Sequence, residues 1–349
     1  MVDSVKVSTD GSVQRTLGAE TPVPTAGAGV SAMGVLGKDS MATKARSEVK
    51  ASDSAPLPPS LSPPSPSSPA ASAERITGRP YVSFSQLSCF QNCPKQFEFR
   101  YLRREQPEEF VPSSLVFGTA FHSAAAAITE ADFEGVERPS VEDLVSRISG
   151  ELRSSTLPIR FSKGESLETL DALARRMVAA YAESAESRID GSVLFLEEAV
   201  RAEVDPELPP VEARCDVVYA TRDGRVVIRD VKSTRSRWTR EKVAESGTQL
   251  LLYREVIRRA LPEHPPADSL EFCTVTKAVR PVVSLHQLDL PRSDAGQGLD
   301  PGVRAQLQGV WNSVVAGSFP ARPSWQCRSC PFARRCIEGQ QAAGVANDA

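Results

Sequence analysis

No Phe, Tyr, Trp, Cys or His occurs before Tyr81. Residues 1–78 consist mainly of Ser, Ala, Pro and Gly, with a dense proline run from Pro56 through Pro69. A segment this poor in large apolar side chains buries too little surface to offset the entropy of ordering it. Residues 1–78 are therefore expected to be a disordered Ser/Pro/Ala-rich tail, and residues 341–349 a flexible C-terminus. What remains, about 270 residues, suffices for one sizeable α/β domain.

Other absences narrow the function. There is no run of 18 apolar residues, so no membrane span is expected. The N-terminus lacks a basic-then-apolar signal pattern, and the expected location is cytoplasmic. No G-x4-G-K-[ST] phosphate loop is present, so nucleotide-driven unwinding would fall to a partner. The formal net charge of −3 argues against a bulk nucleic-acid binder. It leaves room for a local basic groove, and Arg229, Lys232, Arg235, Arg237, Arg240 and Lys242 cluster in one stretch that could form it or simply a solvated surface. Seven cysteines in a reducing compartment point to ligands or core residues and away from disulfides.

Periodicity supplies the elements. Ser83 or Ser85 can cap a helix running to about Leu102. Helices are expected at 114–129, near 140–152 and from about 166 to 187, the last on the spacing of Leu170, Leu173, Met177 and Tyr181. Strands are expected from Leu194 to Val204, at 211–220 and at 225–232, then a helix over 240–260. Strands at 269–276 and 281–288 follow, and a final helix through Val303, Leu307, Val310 and Val314 is closed by Gly317. The sum is an α/β core with a helical part before the sheet.

The second and third strands flank Asp223-Gly224, a strong hairpin signal. Asp230 and Lys232 are two apart and share a strand face. A carboxylate and an ammonium together at the end of a buried strand need a reason, and metal-assisted phosphodiester cleavage is one. Register supplies a check. A two-residue loop places Asp216 opposite Val231. A three-residue loop, Arg222-Asp223-Gly224 with Gly224 left-handed, places Asp216 opposite Asp230. The three-residue loop is the expectation. Gln249 and Tyr253 are i and i+4 and share one helix face.

Cys327, Cys330 and Cys336 form a C-x2-C-x5-C set in a loop flanked by Trp and Pro. Two thiolates at x2 spacing can reach one metal, and a third closes the loop. A fourth ligand would be Cys89 or Cys93, the latter preceding Pro94. Cys215 and Cys273 fall within expected strands and read as core residues.

Taken in order, these motifs resemble the PD-(D/E)XK nuclease superfamily in its RecB-like branch. The appearance is similar to iron–sulfur exonucleases of CRISPR adaptation, phage exonucleases and the AddB nuclease domain. Ser83 to Leu87, then Cys93-Pro94 and Phe97 to Leu102, resemble the family's opening helix. Gly118 to His122 resembles its histidine motif. Asp216 and Asp230-Val231-Lys232 resemble its acidic motifs, Gln249 to Tyr253 its Q-x3-Y helix, and Phe319-Pro320 with the three cysteines its cluster loop. Two positions depart from the pattern: Ala213 stands where the family commonly has Gly, and Ser123 where relatives often carry Glu.

The resemblance implies a restriction-endonuclease-like mixed sheet flanked by helices, with a helical N-terminal part and a C-terminal Cys-cluster loop. The implied RecB-like nuclease domain spans 79–340, divided into a helical part (83–190), a catalytic core (193–318) and the cluster loop (319–340). Mg²⁺ or Mn²⁺ would be held by His122, Asp216, Asp230 and the Val231 carbonyl. Lys232, Gln249 and Tyr253 would assist catalysis. Cys93, Cys327, Cys330 and Cys336 would hold a [4Fe–4S] cluster, with zinc the alternative that ligand chemistry equally allows. The implied activity is metal-dependent DNA exonuclease action on single strands or duplex ends, in recombination, repair or phage/CRISPR DNA processing, alongside a helicase or a recombination or CRISPR partner protein. The alternatives are a catalytically inactive DNA-binding or assembly subunit on the same fold, and a structure-specific endonuclease.

Overall fold

In a computed structural model of the chain, the residues described are 6–7, 13–14, 68–105, 110–288, 290 and 298–336. The chain divides into two units, Met1–Arg46 and Ser47–Ala349. In the first, β1 (Lys6–Val7) pairs antiparallel with β2 (Val13–Gln14).

The expected tail over 1–78 is corrected at its end, because Pro69–Thr77 is a helix, α1. Ser68 caps it by accepting the Ala71 N–H at 3.1 Å, Pro69 opens it, and Gly78 closes it at φ +72. Ala73 is fully buried in the main core. A short alanine-rich helix with good caps forms when a core is there to dock on. Composition averaged over the whole tail conceals it. Most of the rest of the tail, and residues 341–349, lie outside the described residues.

A mixed sheet carries the second unit. Its strands are β3 (Val82–Ser83), β6 (Gly191–Ala202), β7 (Val211–Thr221), β8 (Val226–Thr234), β9 (Ser269–Thr276) and β10 (Val283–Gln287). The order is β10-β9-β8-β7-β3, with β6 along the other edge of β7. β8 and β9 run parallel, while β6–β7, β7–β8 and β9–β10 are antiparallel. The hairpin has the expected register. Val217 pairs with Arg229, Thr221 N–H donates to the Arg225 carbonyl at 2.8 Å, and Gly224 sits at φ +82.

β8 and β9 are buried on both faces, as parallel strands in such sheets are. Ile228, Leu270 and Phe272 face a core shared with α2 (Phe84–Asn92), α8 (Thr248–Ala260) and α9 (Pro301–Val315). Val231, Cys273 and Val275 face a second core formed by α4 (Ser113–Glu134), α5 (Val141–Arg153) and α6 (Leu167–Glu183). Helices thus cover both sides of the sheet.

Two expected helices are divided. The first breaks at Cys93, which has φ −160 because Pro94 excludes helical backbone before it. α3 (Pro94–Phe97) and a π-helical turn (Glu98–Leu102) complete the segment. The helix expected over 240–260 is divided at Gly247 into α7 (Arg240–Ser246) and α8. A Cβ at Gly247 would stand 2.8 Å from Leu288 Cδ1, the end of a side chain that packs against this junction. The helical part also holds a small ladder, β4 (Val111–Pro112) with β5 (Ile159–Arg160).

Candidate metal centre and active site

The site lies where β7 and β8 part. β8 is paired with β7 from Ala220 back to Val217, and β3 pairs with β7 at Val211 and Glu212. Since β6 runs the length of β7 on one edge, β3 and β8 share the other, and Asp216 falls in the interval between them. Its carboxylate takes the place of a ladder bond there, accepting the Val231 N–H on Oδ2 at 2.8 Å. The register carries Asp216 level with Asp230, as the three-residue loop requires. Both are nearly inaccessible, at 4% and 2%. Buried carboxylates are costly without partners, and each has them.

Asp230 is held from β8 and α8. Lys232 Nζ stands 2.8 Å from Oδ1 and 2.7 Å from Oδ2, and Gln249 Nε2 donates to Oδ1 at 3.0 Å. Gln249 Nε2 also reaches the Tyr253 hydroxyl at 3.1 Å, one helical turn on. Burial, reinforced by the Asp216 charge, raises the Asp230 pKa even against the Lys232 ammonium. For Lys232, burial pulls the pKa down, but Asp230 and then Asp216 outweigh it and hold the ammonium protonated. Burial, then the Asp230 charge, lifts the Tyr253 phenol well above its usual range, so it stays neutral.

His122 comes from α4 on the opposite side of the gap. Phe117, Ala120, Phe121, Ala124 and Ala125 bury one face of that helix, and the small alanines let it approach closely. Its Nδ1 lies 3.0 Å from Asp216 Oδ2 and 3.8 Å from Glu197 Oε1. His122, Glu197 and Asp216 offer ligand atoms all within 4.8 Å of one another. Cis ligands on one octahedral ion with 2.1 Å bonds stand about 3.0 Å apart. The two carboxylates suit Mg²⁺ or Mn²⁺, and the imidazole favours Mn²⁺ of the two.

The structure therefore brings together His122, Asp216, Asp230, Lys232, Gln249 and Tyr253, with Val231 supplying its amide to Asp216. It groups Asp230 with Lys232 and Gln249, beside the trio of potential cation ligands. Glu197 was not singled out by sequence. Its signal was present, an acid in the strand expected over 194–204, but choosing it over Glu198 required the β6–β7 register. Arg229 leaves the suggested basic groove. It is buried, donating to Glu271 at 3.0 Å and to the Tyr219 hydroxyl at 3.1 Å. Arg235, Arg237, Arg240 and Lys242 remain exposed.

The four cysteines Cys93, Cys327, Cys330 and Cys336 line one cavity of about 280 Å³, bounded also by Phe99 and Phe332. Ser324 N–H points at Cys327 Sγ, 3.4 Å away. Burial raises the Cys330 thiol pKa, partly offset by a bond from the Phe332 N–H. Cys89, the other candidate, does not line this cavity and is buried in the main core, its thiol pushed up to about 12 by desolvation. Cys215 and Cys273 are buried core residues, as expected.

Among curated proteins nothing matches this chain. Of solved structures, a crystal structure from Eubacterium rectale carrying a provisional exonuclease assignment is 14% identical. It covers 76% of this chain and 89% of its own, with a TM-score of 0.44. The structure of SSO0001 is 11% identical, covers 72% and 94%, and has a TM-score of 0.30. The model of the PD-(D/E)XK nuclease superfamily matches residues 81–337, most of the chain, a range that includes all the site residues just described. The chain belongs to the PD-(D/E)XK nuclease superfamily.

Proposed function

We propose that this nuclease is a metal-dependent DNA exonuclease acting on single strands or duplex ends, in recombination, repair or phage/CRISPR DNA processing. The carrying observation is the convergence of His122, Asp216 and Glu197 around one position, beside the Asp230–Lys232–Gln249 group. His122 and Asp216 would hold Mg²⁺ or Mn²⁺, with Asp230 and the Val231 carbonyl completing the set. A divalent cation there would supply Lewis acidity and lower the pKa of water. The chain's own groups do the rest. Lys232, kept protonated, donates to oxygens that gain negative charge. Gln249 fixes the Asp230 carboxylate, and neutral Tyr253 fixes Gln249. The exposed basic residues after β8 offer phosphate contacts on the approach to the site.

The proposed domain runs over 79–340, with the cysteine cavity as a separate structural centre for a [4Fe–4S] cluster. Four cysteine side chains around one cavity suit such a cluster, with zinc the alternative that ligand chemistry equally allows.

The test is cleavage of end-labelled linear and of circular single-stranded DNA with Mg²⁺ or Mn²⁺. Linear DNA should be degraded from its ends and circles spared. Asp216→Ala, Asp230→Ala and Lys232→Ala should each lower the rate by about 100-fold or more. Cleavage of circles would make this an endonuclease. An inert wild type whose DNA binding survives Asp230→Ala would make it a binding subunit.

A further inference from the structure

Glu197 lies in the middle of β6, a strand whose pairing with β7 slips by one residue between Val193 and Phe195. Past that slip, Leu196 pairs with Val217 and Glu198 with Cys215, so Glu197 stands level with Asp216. Its φ is +50, a left-handed backbone that a residue with a Cβ seldom adopts inside a strand. Its carboxylate is split between two directions. Oε1 faces His122 Nδ1 at 3.8 Å, and Oε2 lies at the limit of contact with Arg214 Nε, 3.5 Å away. The next residue, Glu198, is exposed.

We propose that Glu197 is a direct ligand of the divalent cation, beside His122 and Asp216, and that the distorted backbone of β6 exists to aim it there. The inference rests on the metal-centre reading above and deepens it. An ion pair with Arg214 on a half-exposed strand would gain little and would not call for a left-handed glutamate. A ligand position would, since strained backbone persists where a site over-determines it. The ligand set also balances charge. The charges of Asp216 and Glu197 match those of one divalent cation, while the charge of Asp230 is already matched by Lys232. Asp230 also aligns Lys232 next to the ion.

The experiment is Mn²⁺ binding to the full-length protein without DNA, read as free-Mn²⁺ signal in electron paramagnetic resonance. Wild type should bind and Asp216→Ala should not. Glu197→Gln should weaken binding by at least about tenfold, since even partners outside the ligand shell cost that much. Glu197→Gly, which suits the left-handed backbone and should fold, must show the same loss. Glu198→Gln and Arg214→Gln should bind as wild type does. The proposal is overturned if both Glu197 variants keep wild-type affinity while Asp216→Ala loses it. It is equally overturned if Arg214→Gln alone reproduces the loss, because Glu197 would then act as an ion-pair partner. A wild type that binds no Mn²⁺, or an Asp216→Ala that still binds, sinks the metal-centre reading and this inference with it.

Discussion

Gly224 and Glu197 both have left-handed backbones, at φ +82 and +50, for different reasons. Gly224 closes the β7–β8 loop, and a Cβ there would meet nothing within 4 Å. Gly224→Ala should therefore cost about 1 kcal/mol of conformational strain alone, measurable by urea unfolding. Glu197 accepts the same kind of strain with a full side chain. Glu197→Gly in metal-free protein should leave stability unchanged or raise it by up to about 1 kcal/mol. A loss larger than that would show the side chain to be a support of the fold. The same two residues mark what could be read locally. Gly224 belongs to a short turn whose chemistry lies within a few residues. Glu197 has its meaning only through Asp216, which another strand supplies.

Among the elements, α8 combines both of the chain's needs. Its buried side packs Leu250, Leu252 and Val256 into the main core, and its first turns present Gln249 and Tyr253 to Asp230. Its last turn is fastened by Glu255, whose carboxylate receives Arg258 at 2.6 and 2.8 Å and Arg259 at 2.9 Å. Basic residues also suit that end of a helix. Burial works to raise the Glu255 pKa, but the hydrogen bonds from Arg258 and Arg259 dominate and lower it. A folded-state pKa below the unfolded one means the stabilisation is complete above the unfolded value and is lost as pH falls through the folded value. Glu255→Gln should cost about 1–2 kcal/mol at neutral pH, because hydrogen bonds to a charge contribute that much even when partly screened. Thermal melts of both proteins should converge as the pH drops below about 4. A constant difference down to pH 3 would refute the assignment. Element positions were legible where period and length agreed. β9 was expected at 269–276 and is Ser269–Thr276. The division of 240–260 was not legible, because an isolated Gly inside a helical pattern can be tolerated or can end the helix.

At the scale of the molecule, the cysteine cavity joins the segment after β3 to the one after α9. Phe99 meets Phe332 with ring centroids 5.6 Å apart, and Phe97 stacks on Phe319 at 6.2 Å. The proposed cluster would add a covalent tie across the same junction. Cys336→Ser should abolish absorbance near 400 nm and lower Tm by about 5 °C, roughly 2 kcal/mol for a domain of this size. It should also open 84–102 and 319–336 to limited proteolysis together. Colourless protein with stoichiometric zinc would keep the tie but overturn the iron–sulfur assignment. An unchanged Tm would remove the tie altogether.

Sequence alone was enough for the mixed α/β class, most elements and the hairpin register, and it singled out His122, Asp216, Asp230, Lys232, Gln249 and Tyr253, which the fold brings together. Periodicity, turn chemistry and motif spacing are short-range properties, written within a few residues of where they act. Only the tertiary structure decided that α1 is ordered, that Arg229 is buried against Glu271, and that Glu197 joins His122 and Asp216. Each of these depends on contacts between distant segments, set by core docking and strand register, and no local pattern encodes them.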